Sequence, residues 1–238
     1  MKNFKDKELY GVPDSLPTLV VEFFRDRYRY GQLGKYIWHS RRIPSWTRGI
    51  EAVTLAQASF GLPDNAIIVE LGSFLGASAV LLAGPRKHRG SGKVHAVDPF
   101  DGSGDAFSVP VYQEILQAVG GSQRAWFERN VRRAGLMDWI EVTQKASEQA
   151  VRTWSRPIDL LLMDGDQSYA AVKAAFDAWT PFLKPRGILV LHNAVPGYRR
   201  ESHDGHARVA EEIMAGKAYV DIRHPGTMTV AVKADGNS

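Results

Sequence analysis

The sequence predicts an α/β fold: a mostly parallel sheet with helices on both faces, closed by an antiparallel C-terminal hairpin and preceded by N-terminal helices. Three observations predict it. Short β-branched runs alternate with helical stretches from residue 66 onward, a glycine turn follows the first run, and the last two runs are separated only by a turn. Strands divided by helices pair in parallel through right-handed crossovers.

Residues 1–60 read as a helical extension, a substrate lid or a dimer contact, and residues 61–238 as the main domain. Residues 18–30 place Leu19, Val20, Phe23 and Phe24 near helical spacing, and Ser45 is positioned to cap a second helix over 46–59. Gly61 to Asp64 then breaks the pattern. The strand expectations are 66–71 (AIIVEL), 93–98 (KVHAVD), 139–143 (WIEVT), 158–163 (IDLLLM) and 187–192 (GILVLH). Helices are expected at 77–83, 110–134, 147–154 and 169–182. Residues 219–223 and 227–233 flank the turn signal His224-Pro225-Gly226 and form the closing hairpin.

Composition narrows the function classes. With 44% hydrophobic and 24% charged residues the 238-residue chain is ordinary globular material, apart from the first ten or so residues and the last five, which read as tails. Zero cysteines exclude a disulfide framework, a thiol nucleophile and a thiolate metal site. No apolar run approaches bilayer length and the N-terminus lacks the apolar core of a signal peptide, so a cytoplasmic protein without membrane attachment is expected. The net charge is +4 and the pI about 9.3. Its densest stretch, Arg25 to Tyr30, interleaves basic and aromatic residues as nucleic-acid surfaces do, but is expected to be a solvated helix face with its rings turned inward.

The chemistry-bearing residues cluster at strand ends. The first strand runs into Glu70-Leu-Gly72-Ser73-Phe-Leu-Gly76-Ala-Ser78, where glycines let the chain turn and let a ligand approach a helix N-terminus. The dinucleotide fingerprint GxGxxG is not met. Glu70 precedes the turn, where a carboxylate suits a ligand with an amino group better than a pyrophosphate. Asp98 ends the second strand, in place to accept ribose hydroxyls, and Ala146-Ser147 follows the third, in place for an adenine amino group. Asp164 ends the fourth. All lie at the carboxyl ends of strands, where open α/β sheets bind ligands.

VELGSFLGAS, AVDPF, LLLMDGDQSYAAV and GILVLHNAVPG resemble the class I S-adenosylmethionine-dependent methyltransferases, in particular bacterial sugar and macrolide O-methyltransferases and the cephalosporin-hydroxylase-like group. The resemblance covers roughly residues 45–233. It implies a Rossmann-like seven-stranded sheet with an antiparallel last strand, and S-adenosylmethionine contacted by Glu70, Gly72, Ser73, Gly76, Asp98 and Ser147, with Ser78, Ala146 and Asp164 completing the expected site. Related enzymes often hold Mg²⁺, which here would fall to Asp164, Asp166 and Asn193. The group commonly carries His where this chain has Gln167, which cannot act as a base. His192, at the end of the fifth strand, is the substitute catalytic candidate beside Asp164. His203 and His206, in the polar stretch 198–206, stand in reserve and are expected at the surface.

Residues 101–105 (DGSGD) resemble a calcium loop, but the twelfth position is Tyr112 instead of Glu, so a loop beside the adenosine is expected. The expected function is O-methylation of a sugar or polyhydroxylated metabolite by a homodimer. The alternatives are a catechol-like or lipid-linked acceptor, an RNA or DNA methyltransferase, and a non-catalytic cofactor-binding module. Against nucleic acid, the fourth strand is followed by Asp164-Gly-Asp-Gln and not by an Asn/Asp-Pro-Pro-Tyr motif.

Overall fold

The computed structural model describes residues 16–236. Helices α1 (Leu16–Tyr30), α2 (Gly34–Ser40) and α3 (Ile50–Gly61) precede strand β1 (Ile67–Leu71). Then follow α4 (Ala77–Arg89), β2 (Lys93–Val97), α5 (Val109–Val119), α6 (Gln123–Arg133), β3 (Ile140–Thr143), α7 (Ser147–Ala150), β4 (Ile158–Met163), α8 (Tyr169–Trp179), β5 (Leu183–Leu191), α9 (Gly205–Ala215), β6 (Tyr219–Arg223) and β7 (Thr229–Lys233). The strands form one seven-stranded sheet in the order β3-β2-β1-β4-β5-β7-β6. β1 through β5 pair in parallel, while β7 runs antiparallel to both β5 and β6.

The central strands are mostly apolar because both of their faces are covered, with Glu70, His95 and Asp159 the buried exceptions. All six residues of β4 are buried. Alternate side chains divide between two cores: Ile68, Val94, Leu160, Leu162 and Val190 join the core beneath α2–α6. Val69, Val97, Leu161, Met163 and Leu189 join the one beneath α7–α9. Tyr36, Ile37 and Leu55 of the N-terminal helices share the first core with the sheet, so no gap in packing falls at residue 60.

Local differences from the sequence expectations have physical causes. Gly49, with φ +54°, starts α3 four residues later than expected. Before it, the Arg48 guanidinium donates to the carbonyls of Arg41, Ile43 and Ser45 at 2.7, 3.0 and 3.2 Å and holds that segment as a loop. Ser45 Oγ accepts from Thr47 N (3.0 Å), so it caps a turn and not the helix. The expected helix 110–134 is two helices, split at Gly120 and Gly121 (φ +70° and +80°) and restarted by Ser122, whose side chain accepts from Ala125 N. The α2 helix, absent from the sequence expectations, seats Tyr36 against Gly84, where a Cβ would lie 2.1 Å from the ring. The tail expectation for residues 1–10 and 237–238 lies outside the described residues. Among the described residues no helix is long and apolar enough to cross a membrane.

Candidate active site

The turn after β1 is built around a buried carboxylate. Asp98, just past β2, accepts from Ser73 N (2.8 Å) and Phe74 N (2.9 Å) through Oδ2, and from Phe100 N (2.6 Å) and Gln123 Nε2 (3.2 Å) through Oδ1. Burial raises its pKa, against the pull of those backbone donors. Gly72 lies at φ +85°, and a Cβ there would sit 2.4 Å from the carbonyl oxygen of Asp164. The strand ends β1 and β4 therefore touch through backbone. Phe74, Phe100 and Asn193 also take positive φ (45°, 55° and 51°), so non-glycine strain gathers at this edge of the sheet.

Two cavities meet here. The larger, about 440 Å³, is lined by Asp98, Gly102, Ala146, Ser147 and Asp166 among others. The smaller, about 220 Å³, is lined by Ser73, Ser78, His192, Asn193, Gln167 and His203. Gly72, Phe74, Tyr112 and Asp164 line both and form the junction. Of the expected donor-binding residues, Glu70 and Gly76 line neither. Glu70 is fully buried behind the turn, where its Oε2 accepts from Ser73 Oγ (2.6 Å) and its Oε1 has no partner. Burial pushes its carboxyl up to about 8, against the Ser73 and Ser78 hydroxyls. Gly76 starts α4 in the left-handed region, where a Cβ would meet the Phe127 ring at 3.1 Å, so its smallness serves packing.

His192 stands between two carboxylates. Its Nδ1 lies 2.8 Å from Asp164 Oδ1, and its Nε2 faces Glu51 Oε2 at 3.4 Å without hydrogen-bond alignment. Burial alone would lower its pKa; Asp164 and Glu51 overturn that and raise it to about 10. Asp164 and Glu51 thus favour the protonated imidazole, which weighs against the base role expected of it. A divalent ion at this point would need several converging oxygens. Asp164 Oδ1 is instead paired with His192, Asp166 Oδ1 accepts from Ser168 N (2.7 Å), and Asn193 Oδ1 accepts from Thr227 Oγ1 (3.4 Å). Among the described residues no group of three His, Cys, Asp or Glu is arranged to hold a metal. This donor set, with the His192 ring paired to Asp164, does not fit Mg²⁺.

Residues 69–194, over half of the chain, match the family described as a methyltransferase domain. The chain belongs to that family, the class I S-adenosylmethionine-dependent methyltransferases. Solved structures agree in fold. The O-methyltransferase NovP is 14% identical with a TM-score of 0.63, over 93% of this chain and 100% of that one. Cofactor-bound Rv0187 from MTB is 17% identical with a TM-score of 0.60, over 91% and 97%. TomG from Streptomyces achromogenes, in complex with SAM, is 14% identical with a TM-score of 0.58, over 91% and 96%.

Several site residues of this methyltransferase carry no sequence signature. Trp46, Phe74 and Tyr112 form a ring cluster with centroids 5.1–5.7 Å apart on the wall of the smaller cavity. Burial and Asp164 keep the Tyr112 hydroxyl protonated, above the usual tyrosine range. Glu51 reaches His192 from α3. His203 and His206, expected at the surface, are buried, because α9 folds the end of their loop back over the sheet. His206 Nδ1 pairs with Gln167 Oε1 at 2.8 Å, which fixes the amide. The 101–105 loop does flank the larger cavity, through Gly102, Ser103 and Gly104.

Proposed function

We propose that this methyltransferase moves a methyl group from S-adenosylmethionine to a hydroxyl of a sugar or another polyhydroxylated small molecule. The observation that carries this is the pair of cavities joined at Gly72, Tyr112 and Asp164. Asp98, Ala146 and Ser147 would hold the nucleoside end of the donor, and Gly72, Ser73, Ser78 and Asp164 its amino-acid end. Glu70 and Gly76 support the turn from behind. The smaller cavity would take the acceptor: rings cover one side, and Ser45, Ser108, Gln167 and Asn193 offer hydrogen bonds on the other. Methyl transfer is an in-line displacement, so orientation across the junction supplies most of the effect. His192 and Glu51 fix the Asp164 carboxylate at that junction. A flat phenol is the second acceptor class, favoured by the clustered rings of Trp46, Phe74 and Tyr112.

Titration calorimetry with S-adenosylhomocysteine tests the donor site; wild-type protein that takes up none would end the methyltransferase proposal. Labelled methyl transfer onto glucose, catechol and tRNA separates the acceptor classes, with label on the hexose expected and label on tRNA alone contrary to it. Turnover should survive EDTA unchanged, because Oδ1 of each of Asp164, Asp166 and Asn193 is already paired within the protein; loss in EDTA with rescue by Mg²⁺ would restore the metal. We further propose a homodimer through α1, whose Leu16, Phe24 and Tyr28 are 74%, 65% and 95% exposed.

A further inference from the structure

We propose that His203, oriented by Asp105, is the base that takes the acceptor's hydroxyl proton. The inference rests on the methyl-transfer reading above and names the group that reading leaves open. His203 lies in the loop before α9 and forms part of the smaller cavity's wall beside Phe107 and Ser108. Its Nδ1 is 3.3 Å from Asp105 Oδ1 and 3.3 Å from Ser108 Oγ. The Phe107 ring packs on it at 4.6 Å.

Asp105 is itself fixed. Its Oδ1 accepts from Phe107 N (3.0 Å) and Ser108 N (3.1 Å), at the start of α5, and its Oδ2 is buried without a partner. The carboxyl is held down at about 2: burial opposes ionisation, but His203 and Ser108 outweigh it. A buried carboxylate accepting from Nδ1–H places the imidazole's lone pair on Nε2. Nε2 makes no hydrogen bond among the described residues.

Of the imidazole, amide and phenol groups near the junction, the others are less suited to take a proton. Both nitrogens of His192 face carboxylates. Gln167 is an amide, and Tyr112 keeps its own proton. His206 is buried, lines the larger cavity, and has its Nδ1 held by Gln167. The groups facing His203 are Asp105, Ser108, Phe107, the Tyr198 ring at 6.4 Å and His206, with the Arg200 guanidinium stacked on Phe107 at 4.3 Å.

The step balances without a co-reactant. A lone pair of the acceptor oxygen bonds to the methyl carbon as the carbon–sulfur bond breaks and its electrons stay on sulfur, giving S-adenosylhomocysteine. The hydroxyl proton goes to His203 Nε2, the imidazolium is stabilised by Asp105, and the proton then leaves to solvent.

Three measurements test this. Imidazole ¹⁵N spectra of the S-adenosylhomocysteine complex, followed over pH, should show the neutral form of His203 carrying its proton on Nδ1; a neutral form protonated on Nε2 would overturn the assignment. Labelled transfer to glucose or catechol, whichever is methylated, should fall about 10²–10⁴-fold in kcat for His203→Gln with donor affinity unchanged by calorimetry. A variant keeping more than a third of wild-type kcat would equally overturn it. Asp105→Asn, as a positioning residue, should shift the acid limb of the kcat profile to lower pH; an unmoved limb contradicts its role. Wild-type protein that binds no S-adenosylhomocysteine would instead sink the donor reading, so the two failures are told apart.

Discussion

At the scale of single residues, the site is set by backbone as much as by side chains. Asp98 holds two adjacent amides of the turn, and Gly72 lets that turn lie against the carbonyl of Asp164. Gly72→Ala should destabilise the protein by about 2–4 kcal/mol, combining a left-handed alanine with a backbone clash. Urea denaturation measures it, and a variant within about 0.5 kcal/mol of wild type would contradict the close approach. Asp98 and Asp164 were legible in the sequence because open α/β sheets bind at strand ends. The Asp105–His203 pair was not, since its members are 98 residues apart and meet only when the loop before α9 folds onto the start of α5. Glu70 was legible as a carboxylate before the turn, while only the packing reveals that it is buried and faces Ser73.

At the scale of elements, strands were read closely and helices loosely. A β-branched run bounded by turns marks its own ends, and the fourth strand expectation coincides with β4. The α2 helix has only seven residues and depends on Tyr36 fitting Gly84, a contact 48 positions away that no local pattern encodes. In α1 the periodicity was visible but its orientation was not. Phe23 packs edge-on against Trp38 at 5.5 Å, as an inward ring should, whereas Phe24 and Tyr28 face out. If that outward stripe is the dimer contact, Phe24→Asp should convert a dimer to a monomer in light scattering while S-adenosylhomocysteine still binds. A wild-type monomer would exclude the contact.

At the scale of the whole molecule, buried titratable groups shape the stability curve. The fold holds the proton of Glu70 up to about 8 against an ordinary 4.5, so that contribution is complete below 4.5 and is lost as the pH rises toward 8. His192, raised from 6.5 to about 10, contributes fully below 6.5 and loses its contribution between 6.5 and 10. His206 is lowered from 6.5 to about 3, so protonating the unfolded chain opposes folding as the pH falls from 6.5 toward 3. Between 4.5 and 6.5 the slope of Glu70 is opposed by those of His206 and of His39, which burial lowers to about 4; above 6.5 those of Glu70 and His192 add. The melting temperature should therefore rise from about 4.5 to 6.5 and fall most steeply from 6.5 to 8. Glu70→Gln should make that alkaline fall shallower in calorimetric scans, and an unchanged slope would exclude Glu70 as a source.

Glu51 Oε1 accepts from both Thr227 N (2.6 Å) and Thr227 Oγ1 (2.7 Å), a partner 176 positions along the chain, while its other oxygen faces His192. Chains are made from the N-terminus, so residue 51 leaves the ribosome long before residue 227 exists. The junction cannot be completed on a nascent chain: the clasp that fixes it forms only when the last hairpin has been synthesised and folded.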